Sequence, residues 1–216
     1  MKYVFLCSFL LVTVAACTSA EANRPGQADF AACGVDAAEH ARLMALSQDA
    51  FDQDMDGGWR PVGQRDGCRR VAAHLLLDYA ETHGLTPDDG VVTWHAAQMF
   101  AQAGDYNDAL RMFRREYDPT LGPDDEHYDW TLYGRGTVEF LEGDRPALER
   151  TISQYAALPV DQERKDALLR YAEENNVSFP PEVLAGRPAN LVVLEGLLRC
   201  FGEPYDVAYG QCPKTD

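Results

Sequence analysis

The sequence predicts an all-α fold of stacked antiparallel helical hairpins. Three observations carry this. Beyond residue 32, apolar side chains recur at helical spacing, and the alternation of a half-buried strand is hard to find. Gly104-Asp105 and Gly143-Asp144 each sit between two amphipathic segments. Clusters of Gly and Pro interrupt the pattern where helices must stop.

In order, the first helix is expected from Asp36 to Phe51, and the glycine-rich stretch 52–67 breaks it. A second helix is expected from Cys68 to Thr82. Its Val71, Ala72, Leu75, Leu76 and Tyr79 fall on one stripe, and Gly84 suits the position just past its end. Thr86-Pro87-Asp88-Asp89 reads as the start of a third helix running to Ala103, with Thr86 as N-cap and Pro87 at the first helical position. Asp105 can cap a fourth, with Tyr106, Ala109, Leu110 and Phe113 facing one way. An acidic loop over 118–129 leads to a helical pair that begins near His127, turns at Gly143-Asp144 and ends at Pro159. A seventh helix covers 160–175 with Leu168, Tyr171 and Ala172 inward, and Pro180, Pro181 and Pro188 make a loop. Asn190 then caps a last, largely apolar helix reaching Phe201.

The N-terminus tells of location. Lys2 precedes fourteen residues, Tyr3 to Ala16, that are mostly apolar. As a helix they rise roughly 21 Å, short of a bilayer core of roughly 30 Å. A signal peptide over residues 1–16 fits better than a membrane span. Val14-Ala15-Ala16-Cys17 resembles the lipobox of bacterial lipoproteins. That resemblance implies cleavage before Cys17, lipid on its sulfur (diacylglycerol and palmitate-type chains), and a place in the cell envelope. Thr18 stands where Asp signals inner-membrane retention in that family, so the resemblance implies an outer-membrane anchor facing the periplasm. Cleavage after Thr18-Ser19-Ala20, giving a soluble periplasmic or secreted protein, is the alternative. Residues 17–32, small and polar with Pro25 and Gly26, read as a lipid-anchored flexible tether, leaving 33–216 as the helical domain.

Removing residues 1–16 takes away one charge, Lys2, and moves the formal balance from −16 to −17. Such acidity argues against nucleic acid and against electrostatic docking on an anionic leaflet. With Cys7 cleaved off and Cys17 lipidated, Cys33, Cys68, Cys200 and Cys212 remain. An even number in an exported chain reads as two disulfides. Of three connectivities, Cys33–Cys68 with Cys200–Cys212 joins nearest neighbours. Zinc is a poor rival, since no CxxC spacing occurs.

The segments from Trp94 to Phe113 and from Trp130 to Ile152 are alike: helix, Gly-Asp turn, helix with Ala-Leu. Gly104, Asp105, Tyr106, Ala109, Leu110 and Phe113 resemble tetratricopeptide repeats. This implies TPR-like hairpins at about 90–117 and 127–158, though the Gly-to-Gly period is 39 residues rather than 34. Physically, one hairpin cannot bury both its faces, so hairpins stack into a curved surface that suits a peptide or protein. An irregular helical bundle is the competing arrangement. The Phe51-Asp52-Gln53-Asp54 and Gly57-Gly58-Trp59-Arg60 segments, Gly67-Cys68, Trp94-His95 and Cys200-Phe201-Gly202 with Cys212 also resemble a group of exported bacterial proteins, which implies architecture and location rather than a mechanism.

Candidate chemistry is sparse. Asp52, Asp54, Asp56 and Gly57 match the first half of a calcium-binding EF-hand loop, where alternate oxygens face the ion. The second half fails, with Gly63 at position twelve and Pro61 at ten, so calcium is a weak candidate and no other cofactor is expected. Trp59, Arg60, Trp94, His95, Trp130 and Tyr133 could line a ligand groove, although aromatics at helical spacing usually form core. His74 and Asp78, one turn apart, could pair, but no nucleophile motif accompanies them, and no catalytic residue is assigned. The sequence therefore points to a lipid-anchored helical module for a protein or peptide partner. The alternative is a small-ligand protein or enzyme using the 52–60 loop with His74, Asp78 or His95.

Overall fold

The computed structural model describes residues 24–160, 162–179 and 185–212. The leader, Cys17 and the first part of the tether lie outside them, as do Pro180 and Pro181. Among the described residues the chain is all-helical, with no strand.

The N-terminal helices are α1 (Gln27–Ala32), α2 (Ala37–Met44), the single turn α3 (Arg60–Gly63) and α4 (Arg69–His83). Two hairpins follow: α5 (Val92–Gln102) with α6 (Tyr106–Phe113), and α7 (Tyr128–Glu142) with α8 (Arg145–Ala156). The chain ends with α9 (Gln162–Asn175), α10 (Leu191–Arg199) and α11 (Tyr205–Gly210).

Local chemistry explains most boundaries. The Asp36 carboxylate accepts the Glu39 amide at 2.8 Å, opening α2. Gly84 closes α4 in the left-handed region, at φ 66°, where a side chain would be strained. Asp144 accepts the Ala147 amide at 3.0 Å and starts α8.

Several expectations need correction. The helix expected over 36–51 is two pieces: α2 stops at Met44 and a π-turn occupies Asp49–Gln53. Thr86 and Asp89 do form their capping box, but it yields only a 3-10 turn, because Gly90 at φ 124° leaves helical space. The Asp105 side chain does not cap α6 and pairs with Arg70 instead. Residues 27–32 belong to α1 and bury Phe30, so this part of the expected tether is folded. Tyr171, expected inward, is 54% exposed, and none of the described side chains of α9 is buried. The sequence reading also missed α11.

The core runs through α4, α5, α7 and α10. The closest associations are α4 with α5, α7 with α8, and α5 with α6; α6 bridges to α7. Helix α10 lies on α7 and α8, while α11 returns to α5. Gly136 makes the α10 approach possible, since a Cβ there would press on Leu194 at 2.6 Å. Disulfides join Cys33 to Cys68 and Cys200 to Cys212. The first staples the segment after α1 to the start of α4, and the second closes the chain around α11.

Candidate functional site

The π-turn creates the most elaborate polar cluster. A π-turn widens one helical turn, and such turns often occur at functional sites. Here it sends two consecutive side chains inward. Phe51 stacks on Tyr79 with ring centres 3.8 Å apart, and the Asp52 carboxylate is fully buried beside it. The chain then reverses through Gly57-Gly58. Gly58 sits at φ +56°, and any Cβ there would overlap the Phe51 carbonyl oxygen, so glycine is required. That reversal brings Trp59 and Arg60 back over Asp52, while α5 supplies His95 from its first turn.

Asp52 Oδ1 accepts hydrogen bonds from Trp59 Nε1 at 2.9 Å and His95 Nδ1 at 2.7 Å. Its Oδ2 accepts from Gln53 Nε2 at 2.6 Å. Arg60 donates to the Asp52 backbone oxygen, and its guanidinium rests 4.6 Å from the centre of the Trp59 ring. Burial alone would push the Asp52 carboxyl up. The bonds from His95, Trp59 and Gln53 overcome that and hold it below the usual carboxylate range. With Nδ1 donating, the neutral His95 ring carries its lone pair on Nε2. The arrangement is therefore an oriented imidazole whose Nε2 lone pair can act as an acceptor. Among the described residues, no Ser, Thr or Cys hydroxyl or thiol is hydrogen-bonded to it.

Four residues singled out in three separate sequence readings thus meet at one place: Asp52, Trp59, Arg60 and His95. The rest of the expected groove does not join them. Trp94 and Tyr133 are buried in an aromatic seam between α5 and α7. There Trp94 meets Phe113, Trp130 and Tyr133 with ring centres 4.6, 4.7 and 4.8 Å away. Trp130, half-buried, donates from Nε1 to the Glu116 carbonyl at 2.6 Å. The surface these rings would offer is already covered by the chain itself. Gln98 donates to Tyr209 of α11 at 2.9 Å, and Tyr205 is fully buried near Phe113 and Phe140.

The three carboxylates of the calcium motif do not converge. Asp52 turns inward, and Asp54 accepts the Asp56 amide at 3.0 Å. Among the described residues, no three acidic, His or Cys side chains are grouped to hold a metal. His74 and Asp78 are not hydrogen-bonded to each other. Asp78 accepts from Arg24 Nη2 at 2.7 Å and pairs with His40 Nε2 at 2.9 Å. His74 packs edge-on against Phe100, and its buried Nδ1 finds no partner. Burial pushes its pKa down, with Arg24 adding to the effect.

Two features escaped the sequence reading. Glu116, just after α6, is buried beside Thr93, and burial raises its carboxyl to about 7 against the opposing pull of Thr93 and Arg115. Arg24, Arg69 and Arg70 gather at one cleft. Neither has a local signature, because each depends on how distant segments pack. Compared with known proteins, the chain matches no family model, no curated protein and no solved structure.

Proposed function

We propose that this chain is a lipid-anchored protein of the bacterial cell envelope whose TPR-like helical stack binds a protein or peptide partner. In this reading Cys17 carries the lipid, and the domain faces the periplasm from the outer membrane. The observation that carries the binding role lies at 160–177. Four of the six large apolar side chains exposed among the described residues fall there: Val160, Leu169, Tyr171 and Val177. Exposed apolar surface gathered in one region is a mark of interaction sites.

The hairpins α5/α6 and α7/α8, each turning at Gly-Asp and joined through α6 and α7, support the repeat reading. Because α11 packs against the aromatic seam, the partner meets the α9 side of the domain rather than a groove between the hairpins. Two disulfides suit an oxidising compartment. No helix among the described residues is long and apolar enough to cross a membrane. Affinity capture from detergent-solubilised envelopes tests the reading, with Leu169→Asp and Cys17→Ser as controls. A partner retained by the wild type and lost with Leu169→Asp supports it. A capture profile indifferent to Leu169→Asp contradicts it.

A second reading is favoured by the Asp52–His95 pair. A buried carboxylate that fixes an imidazole tautomer is the arrangement a general base uses. It would make the chain a small-ligand protein or enzyme acting through His95 Nε2. Imidazole nitrogen resonances distinguish this role. An envelope small-molecule fraction that shifts His95 in the wild type but not in Asp52→Asn supports it, and an unmoved His95 resonance removes it.

A further inference from the structure

A cleft of about 800 Å³ opens between the segment leading into α1 and the first turn of α4. The Cys33–Cys68 disulfide forms part of its wall, and Arg24, Arg69 and Arg70 line it, with Asp29 and Asp66. In a chain with 35 acidic and 19 basic side chains, a lining of three guanidiniums and two carboxylates runs against the overall charge.

Each guanidinium also pairs with a carboxylate that does not line the cleft. Arg24 pairs with Asp78 at 2.7 Å, Arg69 with Asp206 at 3.1 Å, and Arg70 with Asp105 through two bonds. Arg69 also donates to the Gln102 carbonyl at 3.2 Å. These pairs orient the forks without exhausting them, because a guanidinium carries five N–H donors and each of the three keeps several. Of the two acids in the lining, Asp29 spends its Oδ2 on the Gly26 amide at 2.8 Å. The first turn of α4 adds to the same field. It contains no acidic residue, and its N-cap Cys68 offers no side-chain acceptor.

We propose that this cleft binds a phosphate group carried on a larger organic body. Three forks arriving from two segments suit an anion with several oxygens better than a two-oxygen carboxylate. The volume lies in the range of small-molecule sites, well above what inorganic phosphate fills. The phosphate has two available sources, a soluble phosphorylated metabolite or the headgroup of an anionic lipid. Cys17 lies seven residues before Arg24, a reach of at most roughly 25 Å, which puts the second source within range of an anchored chain. The proposal is independent of the partner reading, since the cleft and α9 share no residue.

Calorimetric titration of the full chain with glycerol 3-phosphate is one arm of the test. Co-sedimentation with vesicles of phosphatidylglycerol in phosphatidylcholine is the other. The expected result is one saturable site, weakened at least tenfold in Arg69→Ala/Arg70→Ala and unchanged in Arg42→Ala, an exposed arginine elsewhere. Because the ion pairs at the cleft are partly exposed, folding should survive. Should the double variant unfold, Arg24→Ala, altered ahead of α1, reads the same site. Saturation by glycerol 3-phosphate alone assigns a soluble ligand, and binding to vesicles alone assigns a headgroup. Binding in neither arm overturns the proposal, and so does an equal loss in Arg42→Ala.

Discussion

Replacing Asp52 by Asn tests whether the π-turn cluster is held by charge. The amide keeps an oxygen for Trp59 and His95 but turns an NH2 group toward Gln53 Nε2, donor against donor. Hydrogen bonds to a charged acceptor contribute about 1.5–3 kcal/mol, against about 0.5–1.5 for neutral ones. Two weakened bonds and one lost give a cost of about 3 kcal/mol at pH 7, or a fall of about 6–12 °C in Tm for a domain of this size. The pH dependence follows from the depressed pKa of Asp52. A carboxylate lowered in the folded state contributes stability that is present above its unfolded value of about 3.9, and that stability is lost as pH falls through the folded pKa. The difference between wild type and variant should therefore be full at pH 7 and shrink below about pH 3.9. Urea unfolding followed by tryptophan fluorescence at pH 7 and pH 3 measures both. A difference under about 0.5 kcal/mol at pH 7, or one equally large at pH 3, would refute the argument.

Glu116 titrates in the opposite sense. Its carboxyl is raised from 4.5 to about 7, so its contribution is complete below pH 4.5 and is lost as pH rises through 7. The wild type should weaken by up to about 3 kcal/mol between pH 5 and 8, and Glu116→Gln should flatten that slope in denaturant titrations. Cys33→Ser/Cys68→Ser opens a 35-residue link and should cost about 4 kcal/mol, read as a lower urea midpoint. Gly58→Ala meets both a left-handed backbone and the Phe51 carbonyl, and should cost at least ~2 kcal/mol in the same measurement.

The sequence made the helices legible wherever a local signal decides the boundary. Gly84 closes α4 as its chemistry implied, Asp36 and Asp144 stand where helix starts were expected, and the stripe on α4 is buried as its spacing required. Boundaries set by tertiary contacts were hidden. Asp105 looked like a cap, but Arg70 reaches it from α4. Residues 27–32 looked like tether composition, yet Phe30 finds a place in the core. Tyr171 fell on an apolar stripe, yet it stays 54% exposed, because Leu168 and Ala172 are only half-buried there. The candidate site followed the same division. Alternating aspartates suggested an ion, but the buried indole and imidazole donors that claim Asp52 come from seven and 43 residues away. Only the return through Gly58 and the packing of α5 bring them together. Trp94 and Tyr133 carried the helical periodicity of core residues, and they are core.

The partner-binding proposal depends most directly on α9. A photo-crosslinking amino acid placed at Tyr171 in living cells should give a discrete adduct with one envelope component. Leu169→Asp should abolish it, and the same probe at Arg42 should not produce it. An adduct that persists with Leu169→Asp, or no adduct at Tyr171, would contradict the account.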